Sequence, residues 1–221
     1  EFPVPVTHWD GVYDATRYGA CCYQPRAFYD EAAAPGKAFY YNEFRKGETY
    51  TYSEDCLFLN VFSPAGAAAE NRRRPVMVWV HGGAYVFGAS SQPLYDGAHL
   101  ASTQDIVVVT VNYRLGALGF ADLGAPDGTT SGGRYESNAA LSDVLAALRW
   151  VADTIDAFGG DPDNVTVAGE SAGGGIVTTL VTMPAARGLF HRAIAQSSPV
   201  TSVYDRARAA YVAERLPAAL G

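Results

Sequence analysis

The rhythm of hydrophobic and polar positions changes near residue 53. Residues 1–53 hold many aromatics and turn formers with no sustained period. Beyond them, Leu57 to Phe62 predicts a strand, and Pro64 to Pro75 an Ala- and Arg-rich loop. Val76-Met77-Val78-Trp79-Val80 is a continuous apolar run, as found in a strand buried on both faces. Ile106 to Val111 repeats that pattern with mostly β-branched residues. A glycine- and threonine-rich loop spans Gly124 to Arg134. The clearest helix follows: Leu141, Val144, Leu145, Leu148, Val151, Ala152 and Ile155 recur at three- and four-residue steps. Ser137 or Asn138 stands where an N-cap belongs, and Gly159-Gly160 ends the segment. Asp161-Pro162-Asp163-Asn164 is turn chemistry before the short strand Val165 to Ala168. An apolar helix runs to Met183, Ala193 to Gln196 predicts another strand, and a helix-like run closes the chain.

This alternation predicts one α/β domain, a mostly parallel sheet with helices on both faces, without internal repeat or linker. Composition narrows the function. Of 221 residues, 48% are hydrophobic and 18% charged, enough to build a core and too apolar for disorder. The net charge of −7 argues against nucleic acid as a partner, because phosphates would be repelled overall. Apolar stretches such as Asp105 to Tyr113 are broken well short of a membrane span. Arg72-Arg73-Arg74 is the one basic cluster and reads as a solvated loop. Cys21, Cys22 and Cys56 form no metal-binding spacing; they allow at most one long-range bridge, or three reduced thiols. No metal or cofactor is called for.

Two motifs carry chemistry. Gly169-Glu170-Ser171-Ala172-Gly173 is a G-x-S-x-G sequence between a predicted strand and a predicted helix. A serine on such a sharp turn projects its hydroxyl outward, and the following helix aims free N–H groups and its positive end at a developing oxyanion. His81-Gly82-Gly83-Ala84 leaves the buried strand directly, and its glycine-rich backbone can present N–H groups to a carbonyl oxygen. His81 precedes the glycines at the strand end and reads as a residue that positions the loop, not as the base.

Together these motifs resemble the type-B carboxylesterases of the α/β-hydrolase superfamily. Trp9-Asp10-Gly11-Val12-Tyr13-Asp14-Ala15-Thr16 and Ser53-Glu54-Asp55-Cys56-Leu57-Phe58-Leu59-Asn60-Val61 are similar to family segments. So are Asn112-Tyr113-Arg114-Leu115-Gly116, Phe158-Gly159-Gly160-Asp161-Pro162 and the serine motif extended to Gly174. Ala84 followed by Tyr85 resembles the bacterial para-nitrobenzyl esterase branch. The resemblance implies Ser171 as nucleophile of a carboxylic ester hydrolase acting through an acyl-enzyme on a small-molecule ester. It implies backbone N–H groups of Gly83, Ala84 and Ala172 as oxyanion hole, and an Arg114–Asp161 ion pair. Glu170 either borders the pocket as an acid or is an elbow residue held by backbone contacts. Tyr85 and Phe87 either wall the pocket or pack in the core. The resemblance further implies a Cys22–Cys56 disulfide, which leans towards export, with Cys21 extra. Asn164-Val165-Thr166 matches a glycosylation sequon but belongs to the turn into the serine strand.

In this superfamily the acid and then the histidine follow the serine. Here only His191 follows Ser171, with no acidic residue between them, so the order cannot be met within these residues. His8 and His99 precede the serine, in segments resembling surface or packing elements. The chain therefore reads as the N-terminal and central part (1–221) of one catalytic domain, its partner being the remaining C-terminal part. The competing readings are a non-catalytic binding or adhesion homologue, against which the intact Ser171 and loop argue, and an inert fragment. A thioesterase or acyltransferase would use the same elbow.

Overall fold

A computed structural model of the protein describes residues 3, 4, 6, 10–25, 38–44, 50–122, 137–201 and 203–220. The predicted loop at 124–134 lies outside the described residues, as do His8 and Trp9. Near the N-terminus, β1 (Cys21–Cys22) pairs in parallel with β2 (Tyr52–Ser53), and α1 spans Ala38–Phe44. Cys22 and Cys56 are joined by a disulfide with a Cα–Cα separation of 4.9 Å, while the buried Cys21 lies outside the bridge with its sulfur 3.7 Å from the Ser91 hydroxyl.

The main sheet comprises β3 (Leu59–Phe62), β4 (Arg74–Val80), β5 (Val107–Val111), β6 (Gly160–Glu170) and β7 (Arg192–Gln196). Its order is β3-β5-β4-β6-β7, with β3 antiparallel to β5 and all other pairs parallel. Around the strands lie α2 (Ala98–Gln104), α3 (Gly116–Phe120), α4 (Ala139–Thr154), α5 (Ala172–Thr182) and α6 (Arg206–Leu220). The short helices α2 and α3 have too few turns to register as a periodic apolar face, and the sequence reading passes over them.

Valines build the centre. Val76, Val78 and Val80 stand in register with Val107, Val109 and Val111 on one side, and Val76 and Val78 with Val165 and Val167 on the other. All are buried in one cluster with Val144, Leu148 and Val151 of α4 and Ile176 and Leu180 of α5. Each such side chain contributes about 1.5–3 kcal/mol by leaving water. The opposite sheet face is closed too, since Gly97, at the start of α2, comes so near Val108 that a Cβ there would lie 2.8 Å from it. Helices thus cover both faces of β5, whose five residues are all buried.

Three local expectations are corrected. Arg74 is not part of a solvated loop: it opens β4, is buried, and binds Glu70 and Asp105. Only Arg72 and Arg73 of that run are exposed, each reaching acidic partners. Neither Ser137 nor Asn138 caps α4 with its side chain, because the Ser137 hydroxyl donates to Asp122 and Asn138 takes a left-handed φ of 54° instead. Residues 161–164 are not a turn ahead of the strand; they form an irregularity inside β6, which runs from Gly160 to Val165 while β4 advances only from Arg74 to Val76.

Candidate active site

Strand order explains why two distant motifs meet. From β4 the chain passes to β5 on one side and later returns to β6 on the other, so β4 and β6 flank a switch point. Crevices at the carboxyl ends of such strands are where ligands bind in open α/β sheets. Val80 is in register with Gly169, so His81 to Ala84 and Glu170 to Ala172 emerge side by side. The approach is close: a Cβ on Gly82 would lie 2.9 Å from the Glu170 carboxylate and 3.2 Å from Cβ of Ser171.

Ser171 sits between β6 and α5 with φ 55° and ψ −120°, a conformation non-glycine residues rarely adopt. Such strain costs of order 1–3 kcal/mol and persists where surrounding structure enforces it. The enforcement is visible. Ser171 N–H donates to the Gln196 carbonyl at 2.9 Å, and its own carbonyl accepts the Gly175 N–H at 2.9 Å. Gly173 lies so near β4 that a Cβ would come 2.0 Å from the Val80 carbonyl oxygen.

The loop after β4 is equally constrained. Gly83, Ala84 and Tyr85 all have positive φ, at 119°, 52° and 64°. The Gly83 carbonyl accepts N–H groups of Val86 and Phe87, curling the loop back, while Ala84 is exposed. The Tyr85 ring meets Phe120 edge-on at 4.9 Å, and its hydroxyl abuts Gly175 of α5.

His81 is buried, stacks on Tyr113 with centroids 4.4 Å apart, and its Nδ1 lies 2.7 Å from the Gly82 carbonyl. Burial pushes its pKa down to about 4, so the ring is neutral and Nδ1–H is the donor. Tyr113 donates its hydroxyl to the His81 carbonyl at 2.7 Å, and burial raises its phenol well above the usual range. His191 serves elsewhere: its Nδ1 accepts the Val165 N–H at 3.2 Å, six residues upstream of Ser171 on β6, roughly 20 Å at strand rise. His99 lies exposed on α2. Among the described residues, no histidine hydrogen-bonds to Ser171.

The Arg114–Asp161 pair is corrected. Arg114 grips Asp143 instead, through Nε at 2.8 Å, Nη2 at 2.6 Å and its backbone N–H at 3.0 Å. Arg114 follows the end of β5, whereas Asp161 opens the parallel strand β6 and so lies at the other end of the sheet. Asp161 approaches Arg73 at 4.0 Å. Asp143 carried a signal, being a lone acid on the apolar face of α4.

A strained serine at a strand–helix elbow beside a glycine loop, on a parallel sheet, defines a member of the α/β-hydrolase fold class. The chain belongs to the carboxylesterase family, whose model matches residues 1–220. It is 47% identical over 195 residues to the para-nitrobenzyl esterase of Bacillus subtilis (strain 168), covering 88% of this chain and 36% of that protein. It is 48% identical over 200 residues to carboxylesterase 3 of Homo sapiens, covering 90% of this chain and 32% of that one. A solved thermophilic PNB esterase matches with a TM-score of 0.83 and 43% identity, over 100% of this chain and 41% of that chain. The chain therefore spans between 32% and 41% of the length of these relatives. No described helix is long and apolar enough to cross a membrane.

Proposed function

We propose that this chain supplies the nucleophile and oxyanion machinery of a carboxylic ester hydrolase acting on small-molecule esters. The observation that carries this reading is Ser171, held at φ 55° on the elbow with the glycine loop against its Cβ. In the proposed reaction, a histidine removes the Ser171 proton as Oγ attacks the ester carbonyl. Backbone N–H groups of Gly83, Ala84 and Ala172 receive the oxyanion, the alcohol leaves, and water hydrolyses the acyl-enzyme. Glu170, beside Gly82, borders the same crevice.

Residues 1–221 then form the N-terminal and central part of one catalytic domain, and a C-terminal part of the same enzyme supplies the acid and the histidine. The order of the triad in this superfamily supports this, as does the greater length of the relatives. So does β7, an outer strand whose five residues are all exposed, an edge on which a sheet can continue. The reading is tested by treating the complete polypeptide with a fluorophosphonate probe. Labelling at Ser171, lost in Ser171→Ala, is the expected result; an unlabelled but folded protein would reject it in favour of a binding homologue.

A further inference from the structure

Gln24 stands two residues after Cys22, where no motif draws attention, and its side-chain amide grips the chain at the return of the glycine loop. Its Oε1 accepts the Gly88 N–H at 2.8 Å, and its Nε2 donates to the Gly88 carbonyl at 2.9 Å. The same Nε2 donates to the Cys22 carbonyl at 3.1 Å. Both amide protons and the amide oxygen are therefore engaged. One side chain thus ties the buried Gly88 to the disulfide-bonded Cys22.

A peptide unit is planar, with N–H and C=O pointing in opposite directions. Holding the Gly88 N–H therefore sets the direction of the Phe87 carbonyl, and that oxygen lies against Gly83, where a Cβ would overlap it. Gly88 itself presses on the loop from behind: a Cβ there would lie 2.5 Å from His81 Nδ1 and 2.6 Å from the Gly82 oxygen. The Gly82 carbonyl and the Gly83 N–H share one plane, so Gly88 backs the peptide unit that carries the Gly83 N–H. Downstream, the chain is fixed separately. Asn112 accepts the Ser90 N–H at 2.8 Å and donates to the Cys56 carbonyl at 2.9 Å, so losing Gln24 would disturb the loop and leave the strand ends held. We propose that Gln24 is a positioning residue for the oxyanion loop, its amide fixing Gly88 so that the Gly83 N–H keeps its direction towards the reacting carbonyl. This rests on the esterase reading above, in which Gly83 is an oxyanion donor.

Gln24→Met in the complete polypeptide keeps the length of the side chain and removes its hydrogen bonds. Removing an oxyanion donor outright costs roughly 10²–10³ in kcat, so a loosened one is expected to cost about tenfold, with KM for a p-nitrophenyl ester within about twofold. Amide hydrogen exchange at Gly88 is expected to accelerate about tenfold or more. A glutamine that only supports the fold would lower the melting temperature and leave kcat unmoved, and that result overturns the inference. If the unsubstituted polypeptide hydrolyses no p-nitrophenyl ester, the esterase reading falls, while the exchange comparison still decides whether Gln24 holds the loop: unchanged exchange at Gly88 overturns that grip. If Gln24→Met does not fold, the near-isosteric Gln24→Glu decides, since its carboxylate can accept the Gly88 N–H but repels the Gly88 carbonyl. A comparable loss of kcat supports the inference, and parental kcat overturns it. Should neither variant fold, the side-chain amide protons of Gln24 in the unsubstituted protein decide. Exchange as fast as in free glutamine overturns the inference, and retardation of about a hundredfold supports it.

Discussion

The two flanks of Ser171 are built on different terms. Towards β4, the contacts are close: Gly173 on the Val80 carbonyl, Gly82 on the Glu170 carbonyl and carboxylate and on Cβ of Ser171, valine rows in register beneath. Towards β7, the serine is tied by one hydrogen bond to Gln196, and beyond it all five strand residues are exposed. The tight flank fixes the backbone around the proposed nucleophile. The open flank holds little and leaves room for another element. Precision in this molecule is concentrated where the sheet changes direction, not spread along the chain.

Substitutions sharpen this contrast, beginning with the largest effect. Ser171→Ala in the complete polypeptide is expected to cut p-nitrophenyl ester turnover by about 10⁴-fold or more; undiminished turnover would remove Ser171 from the mechanism. Gly173→Ala drives a Cβ to 2.0 Å from the Val80 oxygen, so α5 must leave the sheet. A loss of more than about 4 kcal/mol is expected in urea unfolding. Arg114→Met leaves the fully buried Asp143 carboxylate without its cation, for an expected loss of about 3 kcal/mol by the same measurement.

Protonation probes the tight flank without substitution. The folded His81 pKa of about 4 lies below its ordinary 6.5, so the unfolded chain binds this proton more readily. The resulting stability is complete above pH 6.5 and erodes as pH falls towards 4, the loss reaching about 3 kcal/mol once both states are protonated. The rings of Tyr95 and Tyr113 that face His81 stay neutral throughout that window. Urea midpoints measured from pH 7 to 4 are expected to fall less steeply in His81→Gln than in the parent. The open flank gives the smallest effect. Ile194→Ser on β7 is expected to change the stability of the 221-residue chain by less than about 0.5 kcal/mol. A far larger loss in the complete polypeptide would measure how closely another element packs there.

Much of this was legible before any coordinates. Buried parallel strands announce themselves as unbroken apolar runs, and α4 as a seven-position stripe, because burial on two faces or one leaves distinct periods. The serine and glycine motifs were readable because strand-to-helix turns this tight admit few residue types. What escaped depends on which ends of strands meet. Arg114 and Asp161 both lie in typical segments, but only strand direction reveals that they stand at opposite ends of the sheet. Arg74 looked solvated because two exposed arginines precede it, and nothing in a charge run tells which member begins a strand. Tyr95 lies in a turn with its ring beside Trp79 and His81, a placement that leaves no trace in residue type or spacing.

The ladder between Val80 and Gly169 joins positions about ninety residues apart, and only then do serine and glycine loop acquire each other. Closing so long a loop carries an entropic cost that nearer contacts avoid, which places it among the slow steps of folding. A growing or refolding chain would thus hold both halves of the proposed reactive centre for some time before they meet. Chemical competence becomes a clock for long-range assembly. Pulses of a serine-directed label during refolding would read that clock directly, with reactivity at Ser171 rising with β4–β6 closure and not with the earlier formation of α4.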